Sequence, residues 1–469
     1  MATHKFILTS LGCKVNQYEA LALGEALARA GLAPAGRGEP CDLIVLATCC
    51  VTATAMRKSR QALRRLVRAH PGAGVLVTGC YADYDPDRIR LALAELGLPP
   101  ERVEIEGHHG DVAAAARRAA ARLSGSSRAE RPARSEGGPA TLARRTRAAR
   151  DRAPGTRGLG PISRFPARQR AFVKVQDGCD AFCSYCVVPY ARCRVWSRPA
   201  AEIVAECRRL VEAGHREIVL SGVFLGAYGR PTAVRRRWDD RPSPLPGLIR
   251  RVAEVEGLWR LRLSSLEPGD VTDELLDTFR ECPVLAPHLH LPLQSGSPRI
   301  LAAMRRQYTP DDYRRAVAEV REAVHEPAIT ADVIVGFPGE TEADFAKTLA
   351  LVRQAGLSRV HAFPFSAIEG TGAWRMRGEA PPPPVVRERM ARLEALASDL
   401  AERFRRRLVG RTLEAVVESR PRDGSARAMS GRYQPVWLDG VRVRPGQIVR
   451  AEITGTRGGG WVGQLLPPQ

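Results

Sequence analysis

Cys179-Asp-Ala-Phe-Cys183-Ser-Tyr-Cys186 decides how this chain is read. It lies between Gln176-Asp177-Gly178 and Val187-Val188-Pro189-Tyr190-Ala191-Arg192. Thiolates at C-x3-C-x2-C spacing can all face one metal centre. A structural zinc site closes with four protein ligands. Three cysteines on a cubane [4Fe–4S] cluster instead leave one iron open to chelate a small molecule. Cys193 offers a fourth ligand, so a zinc knuckle is the competing reading.

Working outward, residues 171–176 read as a strand that runs into the cysteine loop. Further strands are predicted at 217–222, 259–265, 288–293, 328–336 and 359–365, with helices such as 200–213, 272–281, 297–306 and 342–355 between them. This alternation predicts an α/β fold, an incomplete (β/α)6 TIM-like barrel over 169–405. Active groups in such barrels stand at the C-terminal strand ends, and the cysteine loop follows the first strand. Ser221, Gly222, Glu267 and Gln294 fall at or just past strand ends, as does the Val335–Glu340 run, whose glycines permit close backbone approach. His288 and His290 share one strand face and read as core residues.

Towards the N-terminus, strands are predicted at 5–10, 43–48, 74–79 and 102–106, and helices at 16–30, 54–70 and 86–96. They make an N-terminal open parallel α/β sheet, residues 1–115. Cys13, Cys49 and Cys80 each lie just past a strand, on the edge where open α/β sheets bind ligands. Three distant thiols can therefore meet at one centre; three unrelated core cysteines are the alternative. Cys41 has no such placement, and Cys50 is expected to point away from Cys49. Residues 116–168 are rich in Arg, Ala, Gly, Ser and Pro and poor in large apolar side chains, which predicts a disordered linker.

Beyond the prolines at 381–384, which are expected to break the chain, a helix is predicted at 385–408. Strands at 412–418, 436–438, 447–454 and 461–465, separated by Gly-rich turns, predict a small antiparallel β-barrel over 406–469. Its arginines, among them Arg411, Arg427, Arg432, Arg442, Arg444, Arg450 and Arg457, are expected at the surface, and Tyr433 and Trp437 offer flat faces for bases.

Composition agrees with this outline. A chain of 469 residues, 44% of them hydrophobic, suits two to four domains. A formal charge of +21 favours a polyanionic partner, although an arginine-rich coding bias contributes. Eleven cysteines and an opening without a secretory leader predict reduced thiols serving metals in the cytoplasm. No apolar run is long enough to span a membrane.

The cysteine loop and its flanks resemble the radical S-adenosylmethionine enzymes. That resemblance implies that S-adenosylmethionine chelates the open iron and is cleaved by one electron to a 5′-deoxyadenosyl radical. More narrowly, the chain resembles the methylthiotransferases of that superfamily. The likeness is carried by Leu11-Gly12-Cys13-Lys14-Val15-Asn16-Gln17-Tyr18-Glu19, Ala47-Thr48-Cys49-Cys50-Val51-Thr52 and Thr78-Gly79-Cys80-Tyr81-Ala82. It implies two [4Fe–4S] clusters, one on Cys179, Cys183 and Cys186 and one on Cys13, Cys49 and Cys80, the latter presenting sulfur. It further implies that Tyr185 packs near the cofactor adenine and that Ser221, Gly222, Glu267 and Gln294 hold its ribose and methionine parts. The closing barrel is then an RNA-binding TRAM domain.

The Cys-Lys-Val-Asn-Gln-Tyr-Glu form is similar to the branch acting on N6-threonylcarbamoyladenosine beside the tRNA anticodon, where C2–H becomes C2–SCH3. The implied partners are tRNA, an electron donor such as flavodoxin or ferredoxin and a sulfur source, with the enzyme a monomer. The same chemistry on isopentenyladenosine or a ribosomal protein, or a metal-bearing RNA-binding protein without catalysis, are the other readings. Ala47 and Cys193 depart from the family's usual Asn and Gly, and Gly370–Trp374 lacks its Pro.

Overall fold

An apolar run closed by one threonine, Leu-Ile-Val-Leu-Ala-Thr, forms the strand Leu43–Thr48, and all of it is buried. Such a run needs helices on both faces of its sheet. The strand is central in a five-stranded parallel sheet, in the order Ala33–Pro34, Lys5–Ser10, Leu43–Thr48, Gly74–Gly79, Val103–Ile105. Helices Lys14–Arg29, Ala53–Ala69, Cys80–Tyr84, Pro86–Ala94 and Val112–Leu123 connect these strands or follow them. The strand order reverses between Lys5–Ser10 and Leu43–Thr48, the point where such sheets bind ligands.

The computed structural model describes residues 4–36, 38–123, 159–166, 169–419 and 424–467. They fall into two units, the first comprising Met1–Ile162, Asp177–Trp196 and Ser366–Trp374. All four N-terminal strands anticipated from the sequence form; the two-residue edge strand Ala33–Pro34 is additional. The helix expected at 86–96 forms as Pro86–Ala94, capped by the Asp85 carboxylate, which accepts the Arg88 N–H at 3.0 Å; the short helix Cys80–Tyr84 before it is additional. Helix Val112–Leu123 also runs past residue 116, where the linker was expected to start. Its alanines, Ala113, Ala115, Ala116, Ala119 and Ala120, form a buried stripe. Residues 124–158 of that linker lie outside the described residues.

The second unit comprises Ser163–Gln176, Ser197–Phe365 and Arg375–Gln469. Its six expected parallel strands form two three-stranded sheets. One is ordered Arg260–Leu263, Glu217–Ser221, Arg170–Lys174, and the other His288–His290, Ala328–Val335, Arg359–Pro364. A parallel bridge, Leu261 to Leu285, joins them into one arc, with Leu261 N–H and Ala286 N–H each bonded across at 2.8 Å. The first and sixth strands share no ladder among the described residues, so the barrel is incomplete. Helices Pro310–Ala323 and Glu342–Ala355 begin with capping boxes, Thr309 with Asp312 and Thr341 with Asp344.

Helix Pro383–Arg407 begins on the prolines expected to break the chain, since proline in a first turn has no needed N–H to lose. A closed five-stranded barrel follows, in the order Thr412–Ser419, Ala426–Ser430, Pro435–Leu438, Gly460–Leu465, Ile448–Arg457. It departs from the expectation in two ways. Ala426–Ser430 is an additional strand, and Pro435–Leu438 pairs parallel with Gly460–Leu465 in an otherwise antiparallel barrel.

Two residues expected at its surface are instead built into the second unit. Tyr433, at φ +56°, lies against Arg262, whose guanidinium is 3.9 Å from the ring centroid, and edge-on to His288 at 4.7 Å. Arg262 is fully buried. It donates to Glu217 at 2.6 Å and to the carbonyls of Ser430 and Gly431. Arg432 is buried and donates to the Glu326 carbonyl at 2.8 Å. Trp437 stays half-buried beneath Arg457. No helix of the described residues is long and apolar enough to cross a membrane.

Candidate metal centres

Cys13, Cys49 and Cys80 follow three neighbouring strands of the parallel sheet. The turns that carry them are sewn together. Asn16 Nδ2 donates to the carbonyls of Leu11 and, at 3.1 Å, Thr48. The Thr48 hydroxyl donates to the Thr78 carbonyl at 2.6 Å, and Leu11 N–H to the Ala47 carbonyl at 2.9 Å. Gly12, at φ +103°, leaves no room for a Cβ, which would stand 2.9 Å from the Cys49 Sγ. The thiols are close enough to act on one another. Cys13 is exposed at the surface, yet the protein packed around its sulfur raises the thiol, opposed by Arg192 and reinforced by Cys80. Burial and then Cys80 push Cys49 up to about 12. Cys80 goes the other way. A hydrogen bond from Cys50 holds it well below the ordinary thiol range against burial, helped by Arg192 and His108. Cys50 does not point elsewhere, as its neighbour's placement suggested; it is buried in the same core cluster as Cys80.

The second cysteine set lies in the same unit. Cys186 N–H donates to the Cys183 carbonyl at 2.9 Å, closing a turn over Ser184 and Tyr185. Phe182 takes a left-handed φ of +49° and stacks edge-on against Tyr190. At the loop base, Cys179 N–H donates to the Arg192 carbonyl at 3.0 Å. Gly178, at φ +79°, lies so close that a Cβ would stand 1.8 Å from the Arg194 carbonyl oxygen. Ala373 N–H supports the turn at the Ser184 carbonyl, 2.7 Å away, so the run without the family's proline still serves as a brace. Cys179 is buried, while Cys183 and Cys186 are partly exposed. Cys193 turns its sulfur to His109 Nε2 at 3.9 Å.

In the second unit, Ser221 ends its strand fully buried, and its hydroxyl bonds back to the Val219 carbonyl at 3.4 Å. Gly222 packs against Gln176, whose Oε1 would stand 3.0 Å from an added Cβ. Glu267 is buried and paired with both Arg306 and Arg235, the latter at 3.5 Å. Gln294 is buried at φ +63°, a conformation that costs a non-glycine residue roughly 1–3 kcal/mol and collects at functional sites. The Val335–Glu340 run is a built turn: Glu340 accepts the Gly336 N–H at 2.8 Å and pairs with buried Arg389 at 3.1 Å. His290 bonds Thr330 at 2.8 Å and Asp332 at 3.3 Å, as a satisfied barrel residue does.

The profile of the Radical SAM superfamily matches residues 173–352, and a family described as uncharacterized, UPF0004, matches residues 5–96. The threonylcarbamoyladenosine tRNA methylthiotransferase MtaB of Bacillus subtilis is 33% identical over 97% of this chain and 94% of its own length. The chain belongs to the radical S-adenosylmethionine tRNA methylthiotransferases. A Thermotoga maritima protein of the same name as the B. subtilis enzyme is 34% identical over 88% of this chain and 86% of its own. The tRNA-2-methylthio-N(6)-dimethylallyladenosine synthase of Sphingopyxis alaskensis is 35% identical over 96% and 95%. A radical S-adenosylmethionine methyltransferase of Kitasatospora setae, solved with cobalamin and a [4Fe-4S] cluster, has a TM-score of 0.54. It covers 80% of this chain and 77% of its own at 17% identity, a likeness of fold.

This methylthiotransferase therefore uses S-adenosylmethionine and a [4Fe–4S] cluster. The Cys179, Cys183 and Cys186 loop fits that group: three soft donors on one tight loop, two of them partly exposed. Sequence reasoning gave no role to several residues of the first site: Asn16, Glu19, His108, Asp177 and Arg192. Its available signal was charge. Glu19 and Asp177 are acidic residues inside cysteine motifs, and both are buried. Buried carboxylates require partners.

Proposed function

We propose that this enzyme converts C2–H of N6-threonylcarbamoyladenosine in tRNA to C2–SCH3, using a second [4Fe–4S] cluster on Cys13, Cys49 and Cys80. The observation that supports this reading is that the three cysteines each follow one of three neighbouring strands at the reversal of the parallel sheet, in the unit that also holds the radical loop. Three soft thiolates, with N–H and S–H donors around one of them, suit an iron–sulfur cluster. When bound, the two clusters and S-adenosylmethionine supply the 5′-deoxyadenosyl radical and the place where sulfur is presented.

The chain's own residues bind and orient. Cys179, Cys183 and Cys186 hold the radical site and, being three, leave room for the cofactor. Tyr185 packs against its adenine. Ser221, Gly222 and Gln294 line the strand ends for its ribose and methionine parts, and the strained Gln294 backbone suits a residue held for a ligand. Glu267 acts through Arg306 and Arg235. The closing barrel is a TRAM domain that binds RNA through exposed arginines such as Arg442 and Arg444. Electrons come from flavodoxin or ferredoxin and sulfur from a separate donor, and the enzyme works as a cytoplasmic monomer.

Identity does not choose the adenosine, since relatives named for two different ones match about equally. The Cys13–Glu19 motif supports the threonylcarbamoyl branch. Mass spectrometry of tRNA nucleosides from a deletion strain tests it. The 2-methylthio form of threonylcarbamoyladenosine is lost on this reading. Loss of the isopentenyl counterpart alone assigns the other branch. Cys49→Ala is expected to form 5′-deoxyadenosine and no thiomethylated product; normal thiomethylation by it would sink the second-cluster reading.

A further inference from the structure

Arg192 touches both cysteine sets. Its carbonyl accepts the Cys179 N–H, and its Nε donates to the Cys80 Sγ at 3.3 Å. Its terminal nitrogens are held by both oxygens of Glu19, at 2.9 and 2.6 Å, and by Asp177 at 2.7 Å. Glu19 is on the helix that follows Cys13, and Asp177 precedes Cys179 by two positions. The side chain is buried. A planar guanidinium fixed by three carboxylate contacts cannot turn, so its remaining N–H is aimed at one sulfur. One further group reaches that sulfur: His108 Nε2, at 3.8 Å.

Hydrogen bonds to a thiolate that ligates iron draw negative charge from the sulfur. They stabilise the reduced cluster, which carries one more electron, over the oxidised one. Because Glu19 and Asp177 offset the charge of Arg192, the directed N–H is what remains to act on Cys80.

We propose that Arg192, anchored by Glu19 and Asp177, and His108 are positioning residues that donate hydrogen bonds to the sulfur of Cys80 and raise the reduction potential of the centre Cys80 ligates. This rests on Cys13, Cys49 and Cys80 holding a cluster, so the experiment separates the two claims. The full-length chain carrying Cys179→Ala, Cys183→Ala and Cys186→Ala is reconstituted anaerobically with iron and sulfide. It should retain about four irons, one cluster; no bound iron would overturn the second-cluster reading and the proposal with it.

In that background, dithionite titrations followed by electron paramagnetic resonance compare His108→Ala and Arg192→Lys with their parent. Both midpoints should move to more negative potential. Arg192→Lys should move further, because it loses the nearer donor, at 3.3 Å, where His108→Ala loses one at 3.8 Å. A purely structural role would leave the midpoint of the loaded protein where it was. Midpoints equal to the parent in both variants overturn the proposal. Should Arg192→Lys fail to hold iron, His108→Ala, which leaves the ion pairs of Arg192 intact, decides alone.

Discussion

Gly79→Ala isolates the step by which the sheet brings its cysteines together. Gly79 pairs with Thr48 in the ladder and precedes Cys80, at φ +91° and ψ −178°. That backbone region is essentially reserved for glycine and costs another residue roughly 1–3 kcal/mol. An added Cβ would stand 2.4 Å from the Thr48 carbonyl oxygen and 2.7 Å from its nitrogen. Both are main-chain atoms in a central strand and cannot swing aside. Crowding of this kind costs a further ~1–3 kcal/mol. The sum, roughly 2–6 kcal/mol, is a large share of the ~5–15 kcal/mol that holds a typical domain. Relief requires Thr48 to retreat, and Cys49 retreats with it. The expected outcome is a lowered melting temperature and iron falling from about eight per chain to about four, with 5′-deoxyadenosine still formed. A variant that melts with the parent and holds its full iron would refute the reasoning.

Cys183→Ala should melt close to the parent and form no 5′-deoxyadenosine; continued cleavage of S-adenosylmethionine would remove the radical loop from its role. Arg262→Met leaves Glu217 and two carbonyls buried without their main donor, and should lower unfolding stability by about 3–5 kcal/mol, read by urea denaturation. Burial pushes the Asp344 carboxyl up, yet hydrogen bonds from Arg299, Ser297 and Thr341 prevail and hold it well below the usual carboxylate range. Its contribution is therefore complete above the ordinary value of about 3.9 and is lost as the pH falls below it. Asp344→Asn should flatten that loss in acid, measured on the metal-free chain; an unchanged acid slope would show the pairing to be inert.

The alternation of strands and helices was legible because buried parallel strands such as Leu43–Thr48 must be continuous apolar runs. Ala426–Ser430 was not, since Ala-Arg-Ala-Met-Ser has little strand preference of its own and is held by neighbours on both sides. Tyr433 reads as a free aromatic face until Arg262, far away in sequence, is found against it. Cys50 was misread because alternation of side chains holds only within a strand. The strand ends at Thr48, and beyond it Cys50 packs into the same core cluster as Cys80.

Sequence alone determined the ligand chemistry. The C-x3-C-x2-C spacing is local, so three thiolates on one short loop follow from the residues themselves. The strand-end positions of Cys13, Cys49 and Cys80 followed from hydrophobic periodicity. What surrounds those sulfurs was decided only by the tertiary structure. The partners of Arg192 come from the helix after Cys13, the residue before Gly178 and the turn at Cys80. No periodicity or spacing relates such distant segments. A buried guanidinium is stable only where folding delivers its carboxylates together.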